Sequence, residues 1–254
     1  MGKLGFVASA LVVAIALSGC AHNNGATRDG SSGGDLTAGG DGGQGVPCRQ
    51  QVLSGEVTNA RGLDGVLLAD GYKVACGTLF RGGDLSALGS AGCAEFATLG
   101  IKTVIDLRQA SVQQTQPPAA CVSSQAKLVS AAMPKLLPDT PQNYLALLQE
   151  KAAVAAVFAT LADTGAYPVY THCVIGRDRA SFVAALVLLA LGADRQAVVD
   201  EFVLSEGAGV PVQVPCIEAV LDEIDKQGGI QAYLTSVGVT EAQLSALRAA
   251  ARAK

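Results

Sequence analysis

From about Val57 onward the apolar positions alternate between two periods, and the alternation predicts a layered α/β chain. "VTNARGLDGVLLADGYKVACGTLFRGGDL" mixes short β-type runs with glycine turns and reads as an extended hairpin region. "SALGSAGCAEFATLG" has helical apolar spacing and stops on Gly100, after which the β-branched run "IKTVIDL" fits a buried strand. "RQASVQQTQPPAACVSS", with its proline pair, predicts a loop, and "AKLVSAAM" a further strand. "PQNYLALLQEKAAVAAVFATLAD" keeps a helical period throughout and predicts one long helix. The strand "YPVYTH" then runs into "CVIGRDR" and an apolar helix from Ala180 to about Leu191. Three or four helices fill Arg195 to Arg252, among them "EAQLSALRAAAR". Strands alternating with helices imply a central, mainly parallel sheet flanked by helices.

The first residues obey a different rule. "MGKLGFVASALVVAIALSGC" has a basic start, an apolar stretch too short to span a bilayer comfortably, and then Leu17-Ser18-Gly19-Cys20. That ending resembles the bacterial lipobox and predicts a signal peptide over residues 1–19, with a lipid anchor on Cys20 and an exported, membrane-anchored protein. Residues 20–46, crowded with Gly, Ser, Asn and Asp, have little to bury and predict a flexible tether, leaving 47–254 as the folded domain.

With 254 residues, half of them hydrophobic, the chain can build a sizeable core. Its net charge of −4, with no basic stripe, argues against nucleic acid as a partner. His22 falls in the tether, so the domain holds one histidine, His172; a multi-histidine zinc site is excluded, and neither metal nor cofactor is expected. Export favours disulfides among Cys48, Cys76, Cys93, Cys121 and Cys216, and sequence proximity suggests Cys48 with Cys76 and Cys93 with Cys121, leaving Cys216; five buried apolar thiols are the competing reading.

The candidate chemistry lies in "HCVIGRDRA", residues 172–180. A strand that turns through a short loop into a helix aims consecutive N–H groups at one point, where the helix dipole also favours an anion. Cys173 opens that loop and Arg179 follows six residues later. Such a nest favours the thiolate as nucleophile, and a guanidinium can grip two phosphate oxygens. The main chain of Val174, Ile175, Gly176, Arg177, Asp178 and Arg179 would bind the phosphate, with Gly176 easing the turn. The Cys-x5-Arg spacing alone is weak evidence; its strand-loop-helix setting and the preceding histidine give it weight.

"HCVIGRDRAS" resembles the signature of the protein tyrosine phosphatase superfamily, and in particular bacterial tyrosine and dual-specificity phosphatases with a His-Cys-x-x-Gly-Lys-Asp-Arg-Thr-Gly loop, some of which accept phosphoinositides. "TNARGLDG", "GTLFRGGDLSAL", "LGIKTVIDLR" and "GGIQAYLTSVGVTEAQLSALR" extend the likeness over about residues 56 to 250. The resemblance implies hydrolysis of a phosphorylated protein or small phosphomonoester through a phosphocysteine on Cys173, with His172 fixing the loop and Arg179 binding phosphate. Asp178 is then the first candidate proton donor and Asp106 the second. Arg177 stands where the family has lysine and could hold a further phosphate oxygen. Ala180 and Ser181 replace Thr-Gly, which removes a hydroxyl from its expected place and leaves a phosphate-binding pseudoenzyme as one alternative, with an inositol polyphosphate phosphatase as another. Rhodanese-type sulfur transfer fits less well, because its cysteine loop ordinarily lacks that arginine.

Overall fold

The computed structural model describes residues 51–53 and 55–254. The stretches expected as signal peptide (1–19) and tether (20–46), with the expected anchor site Cys20, and Cys48, expected to pair with Cys76, lie outside the described residues.

A five-stranded sheet forms the middle layer, in the order β1 (Arg61–Gly62), β3 (Leu79–Gly82), β6 (Val169–His172), β4 (Thr103–Asp106), β5 (Lys127–Ser130). β3, β6, β4 and β5 run parallel, and β1 is antiparallel to β3. Side-chain alternation divides the sheet between two cores. Phe80, Tyr170 and Val104, aligned across three strands, face one helical layer containing α1 (Ser90–Leu99); Leu79, Val169 and Ile105 face the other and larger one. The helix running out of β6, α6 (Asp178–Leu191), buries twelve of its fourteen residues, which accounts for a sequence apolar on every face. α1 ends as expected on Gly100, in the left-handed region at φ 62°.

Several elements differ from the sequence expectation. The stretch expected as a loop after β4 holds two short helices, α2 (Ala110–Thr115) and α3 (Ala120–Gln125), with Pro117 and Pro118 between them. The prolines end one helix and lead into the next, and a Cys93–Cys121 disulfide fastens α3 to α1. The single long helix is two, α4 (Pro141–Leu147) and α5 (Lys151–Leu161), bent by 60°. No Gly or Pro marks the break. It lets α4 pack on α8 (Val214–Lys226) while α5 packs on α10 (Glu241–Ala251), a tertiary demand that periodicity does not report.

α6 begins at Asp178, two residues before the expected start, so the loop is tighter than the sequence suggested. The tail forms four helices: α7 (Arg195–Gly207), α8, α9 (Ile230–Ser236) and α10. Beyond them β7 (Arg252–Ala253) pairs with β2 (Lys73–Val74), a small second sheet with no sequence signal. Cys76 is disulfide-bonded, and the thiols of Cys173 and Cys216 are buried.

Candidate active site

β6 is flanked by two parallel neighbours, so the C-terminal ends of three strands meet where the 173–177 loop leaves the sheet. The loop is stitched to the end of β3. Asp84 N donates to the Val174 carbonyl at 3.0 Å, Cys173 N to the Gly82 carbonyl at 3.4 Å, and Gly83 bridges Ile175. Gly176 sits at φ +71°, and a Cβ there would lie 2.5 Å from the Gly82 carbonyl carbon and 2.8 Å from Gly83 N. Only glycine fits both the backbone angle and the space.

The Gly176 carbonyl is turned away from the nest and held from behind. Asn59 Nδ2 donates to it at 3.1 Å and Arg81 Nη2 makes a short contact with it. Arg81 also donates to the Ser181 hydroxyl at 2.8 Å and, through Nη1, to both Glu201 oxygens at 2.9 Å. Arg61 approaches Glu201 from the other side, Nε to Oε1 at 2.8 Å. Ser205 Oγ closes the cluster by accepting from Asn59 at 3.0 Å. Burial lowers the Arg61 pKa to about 10 despite Glu201 beside it. These contacts explain why "TNARG" and "LFRGG" accompany the loop in the sequence: both motifs hold it in shape. Asp64 of "TNARGLDG" accepts from Gly77 N at 3.1 Å.

Cys173, itself buried, lines a cavity of about 420 Å³ together with Arg108, Lys135, Leu136, Leu137, Val174, Ile175, Arg177, Asp178 and Arg179. The Arg179 guanidinium is buried and oriented by the Leu107 and Met133 carbonyls, at 3.2 and 3.4 Å from Nη1. Leu137, Val174 and Ile175 are the exposed apolar residues of the rim. Asp178 occupies the first turn of α6, where a carboxylate suits the dipole. Its Oδ1 accepts from the Tyr144 hydroxyl at 2.7 Å and from Arg177 Nε at 2.6 Å. Burial, then the Asp178 charge, raises the Tyr144 pKa, so the phenol remains a donor. Every nitrogen of Arg177 is engaged: Nε and Nη2 with Asp178, Nη1 with the Pro211 carbonyl at 3.1 Å, and Nη2 also with Asp139. These contacts use four of its five N–H groups, and the second N–H of Nη1 is the one they leave for a phosphate oxygen.

His172 is fully buried, its Nδ1 3.1 Å from the Cys173 carbonyl and its Nε2 3.7 Å from Asp106 Oδ2. Burial lowers its pKa, so the neutral ring that donates from Nδ1 is the stable form. Asp106 is gripped by Arg108 through Nε at 3.0 Å, Nη2 at 2.6 Å and the backbone N at 2.9 Å. Burial alone would raise its pKa, but the Arg108 hydrogen bond and the other contacts leave it lowered. It does not line the Cys173 cavity but a separate one with Gln113 and Ser130. The structure thus brings Cys173, Asp178 and Arg179 together and places Asp106 behind His172.

Sequence reasoning missed Glu201, Ser205, Tyr144 and Asp139. Glu201 and Ser205 had a signal: with Val198 and Phe202 they form the buried stripe of α7, and a charge on such a stripe implies a buried partner. Asp139, between β5 and α4, had none.

Residues 53–252 match the model of the tyrosine phosphatase family. A Cupriavidus necator protein bearing the name tyrosine-protein phosphatase is 29% identical over 163 residues, 58% of this chain and 60% of its own length. The triple specificity protein phosphatase PtpB of Mycobacterium tuberculosis is 42% identical over 60 residues, 24% of this chain and 20% of its own length. The chain therefore spans less than two thirds of each of these relatives. Among solved structures, the core catalytic domain of the S. cerevisiae PP-IP phosphatase SIW14 aligns with a TM-score of 0.41 at 12% identity, over 70% of this chain and 94% of that one.

Proposed function

The chain belongs to the tyrosine phosphatase family, and from that premise we propose that it hydrolyses phosphomonoesters of phosphorylated proteins, phosphotyrosine foremost, through a phosphocysteine on Cys173. The observation that carries the reading is that Cys173 lines the same cavity as Asp178 and Arg179, with the Arg179 guanidinium held by backbone carbonyls and the 173–177 loop leading into α6. The Cys173 thiolate attacks phosphorus, forming the P–S bond as the P–O bond to the leaving group breaks, and the leaving oxygen takes the proton of the Asp178 carboxyl. In the second step the Asp178 carboxylate takes a proton from water, whose oxygen attacks phosphorus. The P–S bond breaks, inorganic phosphate departs and the thiolate returns. The loop N–H groups and Arg179 stabilise the charge spread over the phosphoryl oxygens. The rim formed by Leu137, Val174 and Ile175 gives an aryl ring apolar contact.

His172 and Asp106 act behind the loop. Arg108 holds Asp106, and His172 donates to the Cys173 carbonyl, fixing the backbone at the nucleophile. A second reading, phosphate binding with negligible turnover, is favoured by one observation. Ala180 supplies no hydroxyl toward the thiolate, and the Ser181 hydroxyl is taken by Arg81. The leader reading puts the domain on a membrane outside the cytoplasm through acylated Cys20, with residues 20–46 as tether and 47–254 as the domain. A diacylglyceryl group on Cys20 in the membrane fraction is the expected result there, and a soluble, unacylated chain would refute it.

The test is turnover of p-nitrophenyl phosphate by reduced protein in EDTA. Activity that disappears in Cys173→Ser is expected. Vanadate binding without turnover would select the second reading, and neither binding nor turnover would overturn both.

A further inference from the structure

A proton donor that must also act as a base in the second step cannot be locked permanently as a carboxylate by a two-armed arginine. Asp178 lies against such an arginine, yet the grip is uneven: Arg177 Nε is 2.6 Å from Asp178 Oδ1, while Nη2 is 3.3 Å from Oδ2. Nη2 also meets Asp139 Oδ2, in a contact much shorter than the one it makes with Asp178. One guanidinium thus serves two carboxylates, and all three side chains are largely withdrawn from water, at 16% exposure for Arg177, 23% for Asp139 and 14% for Asp178. The second Asp139 oxygen, Oδ1, is buried without a hydrogen-bond partner, so among the described residues the cation that holds this carboxylate is Arg177. Burial and then the Asp178 charge raise the pKa of Asp139, in keeping with two acids competing for one cation.

We propose that Asp139 is a positioning residue for the proton donor: it competes with Asp178 for one arm of Arg177 and keeps that arm's hold on Asp178 long, leaving Asp178 able to carry the proton that the leaving oxygen takes and to recover one from water. Asp139 does not line the cavity, so it acts only through Arg177 and Asp178. With Asp139 neutralised, the longer of the two Arg177 contacts is free to tighten on Asp178 and to disfavour its taking up a proton. The first step then loses its acid, while Cys173, Arg179 and the anion nest remain intact. The inference rests on the phosphatase reading above and adds to it a residue outside the loop signature.

A residue that merely tethered the 131–140 segment would slow all substrates alike. A residue that serves the proton donor slows those whose leaving group needs a proton. The experiment compares kcat/KM for phenyl phosphate, a poor leaving group, with 2,4-dinitrophenyl phosphate, a good one, in wild type and Asp139→Asn. General acid catalysis supplies roughly 10²–10⁴ in rate, so a loss of about tenfold or more on phenyl phosphate and less than about twofold on the dinitrophenyl ester is expected. Asp139→Glu should restore most of the phenyl phosphate rate. In an Asp178→Asn background the Asp139 substitution should cost nothing further, since its effect passes through that acid. Equal losses on the two esters, no loss on either, or a full additional loss in the Asp178→Asn background would overturn the proposal. Wild-type protein inactive on both esters would instead strike the phosphatase reading itself.

Discussion

Glu201→Gln keeps the shape of the side chain and removes the one negative charge between two buried guanidiniums. Glu201 is 5% exposed, with Arg61 Nε at 2.8 Å and Arg81 Nη1 at 2.9 Å from its oxygens. The cluster is costly even when complete. Burial lowers the Arg61 pKa from the ordinary arginine value to about 10, and at about 1.4 kcal/mol per unit this is of order 3 kcal/mol against the charged form in the native state. Because the native value is the lower one, this cost is present at neutral pH, where the arginine is protonated in both states. Removing the carboxylate leaves two uncompensated buried cations, a change that typically costs about 3–5 kcal/mol, a large share of the roughly 5–15 kcal/mol that holds a domain folded. Arg81 is also the group that holds the Gly176 carbonyl and the Ser181 hydroxyl, so its displacement loosens the nest. Urea unfolding followed by circular dichroism should show that loss with an unchanged m-value. The fraction that remains folded should turn over p-nitrophenyl phosphate at least about tenfold less well, the equivalent of one lost loop contact. A change under about 1 kcal/mol with unaltered kinetics would refute the view that this cluster sets the loop.

Two further substitutions test the site from other directions. Gly176→Ala places a Cβ 2.5 Å from the Gly82 carbonyl carbon at φ +71°. The left-handed angle alone costs about 1–2 kcal/mol, so vanadate titration should show affinity reduced by about tenfold or more, and an unchanged affinity would mean that the loop is not held where we place it. His172, neutral and buried, has its pKa lowered by burial. Its contribution to stability is complete above the unfolded-state value near 6.5 and declines as pH falls toward the lower native value, with a slope of at most about 1.4 kcal/mol per unit. Urea midpoints should therefore fall on acidification below about pH 6.5 in wild type and stay flatter in His172→Gln; parallel curves would remove His172 as the cause.

What the sequence revealed of this protein follows from how local each signal is. β4, β6, α1 and α6 were legible because a β-branched run, an apolar helix and a terminating glycine act within a few residues. The loop was legible for the same reason, as its nucleophile, glycine and arginine are contiguous. The break between α4 and α5 was hidden because it is imposed by α8 and α10, which follow much later in the chain. The two helices flanking Pro117 and Pro118 were hidden because a proline pair signals an interruption equally well between helices and within a loop. At the site, the Arg61–Glu201 contact spans 140 positions, and only the misplaced charge on the α7 stripe hinted at it. Asp139 earns its place solely from the path of the 131–140 segment past Arg177, which no periodicity encodes. Arg177 itself, read as a second phosphate ligand, directs four of its five N–H groups to two carboxylates and a carbonyl, a partnership that its place in the loop signature did not announce.

The central claim is a covalent bond between phosphorus and the Cys173 sulfur, and acid-quenched turnover followed by peptide mass mapping tests it most directly. Because Ala180 offers no hydroxyl to assist breakdown, the phosphoenzyme should accumulate, and one phosphoryl group should be found on the peptide containing Cys173 and on no other. Continued turnover with that peptide unmodified, or with the phosphoryl group on a different residue, would contradict the account.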